Sequence, residues 1–179
     1  ENVENLCCGQ MYHSAGNQLQ QNRVQADLTT GIQGAQLVLM DNSSCAGFAQ
    51  QSNLPVMDIN QFLVERLVRS RLIHRYQRVA LHIDCSTAKH SFNPEFIAIL
   101  RLCAYEVVIP EGIKCCGFAG DKGFTTPELN ASSLSGLAPQ VSDCEIGVTF
   151  NRSCQIGLNQ HSGIKYISFV ELILDCFRV

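Results

Sequence analysis

The sequence lacks an apolar run of the ~20 residues needed to cross a bilayer, so it predicts no membrane span. It also lacks a basic surface, because the net charge is −3 and the 13 Lys and Arg residues are scattered outside a group between Arg66 and Arg78. That group flanks apolar residues, as on a solvated helix face, and nucleic acid is disfavoured as a partner. The polar, acidic start from Glu1 to Asn5 is not a signal peptide. We therefore expect a cytoplasmic protein.

Cysteine, by contrast, is abundant, with ten in 179 residues. This share lies below the ~8–10% that marks small disulfide scaffolds. In a reducing compartment such cysteines more often bind metal or do redox chemistry. The adjacent pairs Cys7-Cys8 and Cys115-Cys116 favour the same interpretation, since neighbouring residues rarely reach the Cα separation of about 4.4–6.8 Å found in disulfides.

One pattern is written twice along the chain. Each half opens with Cys-Cys-Gly and continues with a predicted helix, at 14–33 or 127–138. A short apolar strand follows, at 36–40 or 146–150, and then an Asn-x-Ser-Cys segment. Cys45 follows Cys8 by 37 residues, and Cys154 follows Cys116 by 38. Four features in one order at nearly one spacing indicate an internal repeat.

The alternation of elements predicts the fold class. Asp58–Gln61 and Ser168–Glu171 have the form of capping boxes that open helices. The second half adds a strand at 79–83, a helix that starts at Asn93-Pro94 and a strand at 106–109. We expect an α/β fold of two pseudo-repeated halves, with mainly parallel strands flanked by helices and ligand loops at the carboxyl ends of the strands. Residues 1–75 would hold the first repeat, truncated at its N-terminus, and residues 76–179 the second, complete one, and we expect the two to form a single compact unit.

The strand-end cysteines are the candidate metal ligands. In the second half these are Cys85, Cys115, Cys116 and Cys154. Four thiolates suit an iron–sulfur cluster and also a tetrahedral zinc ion. Adjacent ligands followed by glycines favour the cluster, because its sulfurs accept backbone N–H hydrogen bonds. The first half offers a three-ligand set, and its fourth member lies upstream of Glu1 or is absent: Cys7, Cys8 and Cys45.

Other residues have weaker patterns. Three cysteines continue apolar series or precede a strand, and are typical of packing: Cys103, Cys144 and Cys176. A glycine series would let the chain wrap closely around a cluster, and matches no nucleotide-binding motif: Gly117, Gly120 and Gly123. Lys122 could offset the charge of a cluster, and His90 and His161 could act outside the ligand shell. His82 alternates with strand residues and is typical of a packed histidine.

Residues 115–131, which begin Cys-Cys-Gly-Phe-Ala-Gly-Asp-Lys-Gly-Phe, resemble the cysteine-rich CCG domain, as does Ser153–Leu158. That domain occurs in heterodisulfide reductase and in the iron–sulfur portions of glycolate and lactate oxidases. The whole chain is most similar to the carboxyl-terminal region of FAD-linked D-2-hydroxy-acid dehydrogenases, of the D-lactate or D-2-hydroxyglutarate type.

The resemblance implies a 4Fe-4S cluster in this chain. It also implies FAD and ferredoxin-like domains elsewhere in the same full-length protein, with a downstream electron acceptor. Because the chain begins without Met just before its first motif, we expect the natural protein to continue upstream. This fragment would then have no dehydrogenase activity alone.

The sequence departs from the family pattern at one position in each half. The family ends each repeat in Cys-x-x-Cys, whereas Asn42 and Asn151 stand at the first cysteine position here. This departure disfavours a five-thiolate cluster and favours a four-ligand cluster, a mononuclear metal or a degenerate site. We expect the first half to be the emptier one. Thiol–disulfide redox chemistry and a structural zinc or metal-free docking scaffold remain the alternatives.

Overall fold

A computed structural model describes residues 4–66, 71–90, 94–120 and 122–178. The predicted N-cap Asn93 lies outside these residues. The elements of the first half, in chain order, are α1 (Gln10–Ser14), α2 (Gln18–Gly31), β1 (Val38–Met40), α3 (Ser43–Gln50), β2 (Val56–Asp58), α4 (Ile59–Arg66) and β3 (Arg71–Leu72).

The second half supplies more strands. Its elements are β4 (Tyr76–His82), α5 (Cys85–His90), α6 (Pro94–Cys103), β5 (Ala104–Val108), α7 (Lys122–Thr125), α8 (Pro127–Ser133), α9 (Ala138–Val141), β6 (Ile146–Thr149), α10 (Arg152–His161), β7 (Tyr166–Ser168), α11 (Phe169–Cys176) and β8 (Phe177–Arg178).

The strands are mainly parallel, as predicted. The larger sheet has the order β5-β4-β6-β7, and all its pairs are parallel. A separate parallel pair joins β1 to β2, while the short strands β3 and β8 pair antiparallel. Helices flank these sheets, which confirms the α/β fold class.

Two cores cover the two faces of the larger sheet. On one face, the rings of Phe96, Phe150 and Phe169 pack with centroids 5.0–5.4 Å apart. On the other face, Ala80 packs in a cluster that includes Cys116 and Cys154. Because successive strand residues point to opposite faces, the continuous apolar run of β4 feeds both cores. Cys116 and Cys154 therefore belong to one face of the larger sheet.

The first half has its own smaller core around Leu28, Ile32 and Val56, which also contains Cys8. Its helix α4 extends beyond that core, since Val64 packs against the phenylalanine cluster of the second half. The two halves therefore share apolar contacts.

The pairing of strands repeats between the halves. Met40 of β1 lies opposite Asp58 of β2, and Thr149 of β6 lies opposite Ser168 of β7. Each pair ends its strands just before a helix. The repeated sequence pattern thus corresponds to two parallel βαβ units, β1-α3-β2 and β6-α10-β7.

The helix boundaries depart from the prediction in two places. The predicted helix at 14–33 corresponds to the single helix α2, which begins later, at Gln18, because Gly16 with φ +71° lies between it and α1. The predicted helix at 127–138 is divided into α8 and α9. In the second case a continuous helix was wrong.

Only one of the two predicted capping boxes forms. The Ser168 hydroxyl accepts the N–H of Glu171, and the Glu171 carboxylate accepts the N–H of Ser168. At the other, Asp58 Oδ1 accepts the Asn60 N–H at 2.7 Å, while the Gln61 amide contacts Glu65 instead. The prediction of a capping box at Asp58–Gln61 was wrong, because the short Asp side chain bonds to the backbone two residues ahead.

No helix in the part of the chain that the structure describes is both long and apolar enough to cross a bilayer.

Candidate thiol centres

The loop between β5 and α7 carries the adjacent cysteines of the second half. Cys115 is exposed, whereas Cys116 is only 3% exposed and belongs to the core. The Gly117 N–H donates to Cys115 Sγ at 3.3 Å. Gly117 has φ +71°, and a Cβ there would lie 2.4 Å from the carbonyl oxygen of Leu129. Only glycine fits this close approach.

Cys154 is brought to this loop by α10. The Asn151 side chain caps that helix by accepting the Ser153 N–H at 3.1 Å, which places Cys154 in the first turn. The Sγ atoms of Cys116 and Cys154 lie 2.9 Å apart, although 38 residues separate them in sequence. Residues from two distant segments therefore form one buried thiol pair.

Cys85 completes the second-half set at the start of α5. Asp84 precedes it, and the buried Asp84 carboxylate accepts the N–H groups of Ser86 and Thr87. Cys85 is exposed, and its pKa is raised first by burial of part of the residue and then by the charges of Cys115, Asp84 and Cys116. The electrostatic interactions place Cys85 beside the Cys115–Cys116 loop.

The two thiols of the buried pair influence each other's titration through the contact between their sulfurs. The hydrogen bond from Cys154 lowers the pKa of Cys116 to about 7, because it stabilises the thiolate. The pKa of Cys154 is raised, first by the same hydrogen bond and then by burial. Near neutral pH the centre thus holds a thiolate beside a thiol.

The first half repeats this arrangement. The Gly9 N–H donates to Cys7 Sγ at 3.4 Å, and Gly9 has φ +89°. A hydrogen bond from Cys45 lowers the pKa of buried Cys8 to about 6, and the pKa of Cys45 is raised by that bond and by burial. Cys45 lies in α3, whose N-cap is Asn42. The structure therefore brings Cys7, Cys8 and Cys45 into a second thiol centre.

Asn42 and Asn151, the asparagines of the two Asn-x-Ser-Cys segments, have a structural role. Asn42 accepts the N–H and the hydroxyl of Ser44, and Asn151 does the same for Ser153. Asn151 Nδ2 also donates to Ser44 Oγ at 2.8 Å, across the boundary between the halves. The two helices that carry Cys45 and Cys154 thus begin at a shared hydrogen-bonded point.

The other candidate residues are placed unevenly. Gly120 has φ +78° with open space around it, whereas a Cβ on Gly123 would meet the Phe118 ring at 2.4 Å, so Gly123 serves close packing. Lys122 is exposed at the start of α7. His161 ends α10, seven residues after Cys154, which is about 10 Å along the helix. The structure does not bring His161 to the thiols, and the His90 side chain lies outside the described residues.

His82 lies inside the protein, on the face of β4 that carries the thiols. Its Nδ1 is 3.3 Å from Thr149 Oγ1, and its buried Nε2 has no hydrogen-bond partner among the described residues. Burial lowers the pKa of His82 to about 4. At neutral pH the imidazole is therefore uncharged, as expected of a packed histidine. The packing role predicted for three further cysteines agrees with their burial: Cys103, Cys144 and Cys176.

Two residues beside the thiol centre of the second half were not predicted from the sequence. Asn130 of α8 donates its amide to the Cys116 carbonyl, and nothing in the local pattern around Asn130 marks it. Asp84 orders the turn before Cys85, and the Asp-Cys-Ser-Thr segment has the pattern of an N-cap followed by hydroxyl residues. That pattern could have identified Asp84.

The cysteines of the second centre can be compared with the geometry that a bound metal requires. Among the described residues, no three His, Cys, Asp or Glu side chains converge on a point where one ion would sit. Two thiolates bound to one zinc at 2.3 Å would lie about 3.8 Å apart in a tetrahedron, farther than the 2.9 Å of Cys116 and Cys154. Thiolates bound to different irons of a cluster lie farther apart still, so Cys116 and Cys154 would have to separate to bind either group. The donor types are nevertheless those that iron–sulfur clusters use, namely four cysteines and a glycine that donates its N–H to a sulfur.

Comparison with known proteins gives limited matches. No curated protein sequence matches the chain. In three dimensions it is similar to the crystal structure of an aspartate racemase homologue from Pyrococcus horikoshii OT3, with a TM-score of 0.32 and 16% identity, over 88% of this chain and 71% of that one. The match to a family is local and lies in the second half. Residues 79–158 match the CCG cysteine-rich domain, and this segment contains all four cysteines of the second thiol centre.

Proposed function

We propose that this chain is the cluster-binding, electron-transfer part of a cytoplasmic FAD-linked 2-hydroxy-acid dehydrogenase or oxidase. The observation that carries the proposal is the pairing of Cys116 with Cys154, whose sulfurs lie 2.9 Å apart, in the segment that matches the CCG domain and that also contains Cys85 and Cys115. A cysteine-rich domain of this kind supports a metal-related or redox-related function. The FAD and ferredoxin-like domains, the hydroxy-acid substrate and the electron acceptor would belong to the rest of the full-length protein.

The four cysteines of the second centre would hold a 4Fe-4S cluster, and that cluster would supply one-electron transfer. The chain's own groups set its surroundings. Gly117 N–H already donates to Cys115 Sγ, and hydrogen bonds to ligand sulfurs are known to raise cluster potentials. Cys85 and Cys115 lie at the surface, whereas Cys116 and Cys154 close the inner side.

Anaerobic purification, followed by iron and acid-labile sulfide analysis, tests the cluster directly. We expect about four iron and four sulfide per chain, and their loss in Cys154→Ser. Cys144→Ala is the matched control, because Cys144 is a buried cysteine of the same core that is not in the ligand set. Iron that is absent from the wild type, or that remains in Cys154→Ser at the level of the control, would refute the proposal.

The first centre is tested in the same way. We expect Cys8→Ser to leave the iron content unchanged, because only three cysteines converge in the first half: Cys7, Cys8 and Cys45. If Cys8→Ser halves the iron content instead, both halves hold a cluster.

A second candidate function is thiol–disulfide exchange at Cys116 and Cys154. Its support is the lowered pKa of Cys116 with a protonated partner at 2.9 Å. The Cys116 thiolate would attack a substrate disulfide, forming a mixed disulfide and releasing the first substrate thiolate. Cys154 would give its proton to that thiolate, attack Cys116 Sγ and release the second substrate thiolate, which leaves a Cys116–Cys154 disulfide and a reduced substrate. Against it stands burial, since the two residues are 3% and 5% exposed. If Cys116 in the metal-free protein is alkylated only after unfolding, the exchange function is excluded.

A further inference from the structure

A cavity of about 180 Å³ lies between the two halves, and no cysteine lines it. Its polar lining comes from Asp41, Asn60, Arg152 and Ser168. Its apolar lining comes from three further residues: Ile59, Phe150 and Val170. A water molecule occupies about 30 Å³ of liquid, so the cavity has room for a molecule of about six non-hydrogen atoms.

The cavity occupies the position where α/β proteins commonly bind ligands. Asp41 follows β1, Ile59 follows β2 and Phe150 follows β6, while Ser168 ends β7. These are the carboxyl ends of four parallel strands, two from each half. The lining also includes equivalent positions of the repeat, because Asp41 precedes Asn42 as Phe150 precedes Asn151. The cavity is thus built jointly by the two halves.

The two charged groups of the lining have opposite sign. Arg152 contacts Gln155 and Glu171 through Nη1, at 3.0 and 3.5 Å, and no hydrogen bond of its Nη2 is found among the described residues. An arginine with free donors suits a carboxylate. The Asp41 carboxylate is exposed and accepts hydrogen bonds only. A ligand that satisfies both needs one group of each charge.

The amide of Asn60 adds a second acceptor. Asn60 is only 2% exposed, and its Nδ2 donates to Asp58 Oδ1 at 2.7 Å and to Ser43 Oγ at 3.5 Å. Its Oδ1 is therefore the amide atom left for a ligand. The lining thus offers two acceptors, Asn60 Oδ1 and the Asp41 carboxylate, to an ammonium group, which has three N–H donors.

We propose that this cavity binds a small α-amino acid in its zwitterionic form. Its carboxylate contacts Arg152, its ammonium group contacts Asp41 and Asn60 Oδ1, and a short side chain packs on Ile59, Phe150 and Val170. The assignment does not depend on the thiol centres, because the lining contains none of their residues.

Isothermal titration calorimetry with L-alanine as the probe tests the proposal. We expect binding to the wild type, and at least about tenfold weaker binding of L-lactate and of ethylamine, which lack the ammonium and the carboxylate respectively. A tenfold loss corresponds to about 1.4 kcal/mol. Lactate that binds as tightly as alanine would overturn the zwitterion, and the absence of heat with alanine, glycine and L-valine at millimolar concentration would overturn the site.

Variants locate the binding. Asp41→Asn and Arg152→Gln should each weaken alanine binding at least about tenfold, and Arg152→Lys should recover part of it, because Lys retains the charge. Arg23→Gln is the matched control, since Arg23 is exposed on α2 and does not line the cavity. Alanine binding that is unchanged in both Asp41→Asn and Arg152→Gln would overturn the proposal. None of these outcomes depends on iron content.

Discussion

At the residue scale, each thiol centre depends on one buried cysteine and one glycine with positive φ. Cys8 and Cys116 lie in the core, and Gly9 and Gly117 follow them with φ of +89° and +71°. In both halves, the glycine turns its own N–H back to the sulfur two residues earlier. The Cys-Cys-Gly sequence therefore encodes the same turn in both halves.

Gly117→Ala should destabilise the protein more than Gly120→Ala does. Both glycines have positive φ, which costs alanine about 1–2 kcal/mol. At position 117 the new Cβ would also meet the Leu129 carbonyl at 2.4 Å, whereas nothing lies within 4 Å at 120. Crowding of this kind adds about 1–3 kcal/mol. Urea unfolding measures the difference, and equal free energies of unfolding for the two variants would contradict the close approach.

At the element scale, α3 and α10 hold the cysteines that complete the two centres. Each begins at an asparagine whose side chain accepts a backbone N–H two residues ahead. Since Cys45 and Cys154 occupy the first turns, the caps fix where those sulfurs lie. The asparagines thus fix the start of each cysteine-bearing helix.

Asn151→Ala should lower the free energy of unfolding by about 2 kcal/mol, and Asn42→Ala by about 1 kcal/mol. Loss of an N-cap costs about 1 kcal/mol. Asn151 also donates to Ser44 Oγ, and loss of that hydrogen bond costs about 1 kcal/mol more. Asn151→Asp retains the cap acceptor and should lie between Asn151→Ala and the wild type in thermal or urea unfolding. Equal losses for the two alanine variants would show that the contact between the halves contributes nothing.

At the scale of the whole molecule, stability should rise with pH between about 7 and 9. In metal-free, reduced protein, folding lowers the pKa of Cys116 from 9.0 to about 7 and that of Cys8 to about 6. In that window the unfolded thiols hold protons that the folded protein has released, so the free energy of unfolding increases with pH. This stability is lost as pH falls through the folded pKa values.

Above pH 9 the sign reverses, because Cys154 and Cys45 stay protonated in the folded protein while their unfolded thiols ionise. We expect the rise between pH 7 and 9 to be on the order of 4 kcal/mol, and Cys116→Ser to lose about half of it, the share due to Cys116. Urea unfolding at a series of pH values, with reductant and chelator present, measures both. A rise that persists in full in Cys116→Ser would show that its thiolate is not formed.

Much of this organisation could be predicted from the sequence. Short apolar runs such as 146–150 predicted the strands, and the alternation of strands with helices predicted a mainly parallel sheet, because both signals are local in the sequence. The positions of Cys116 and Cys154 beyond predicted parallel strands indicated that they could meet. Contacts that depend on the assembled molecule could not be predicted. Asn151 and Ser44 are 107 residues apart, and the position of His161 away from the thiols follows from the length of α10.

In the Cys115-Cys116 loop, the first cysteine is exposed to solvent and the second is buried. A water-soluble maleimide dye added to the folded chain should therefore tag Cys115 and Cys85 and spare their inner neighbours. Dissolved oxygen would likewise reach the exposed sulfurs first and the buried sulfurs afterwards. Oxidation of this centre would therefore begin at Cys85 and Cys115 and would reach Cys116, the residue next to Cys115, only later.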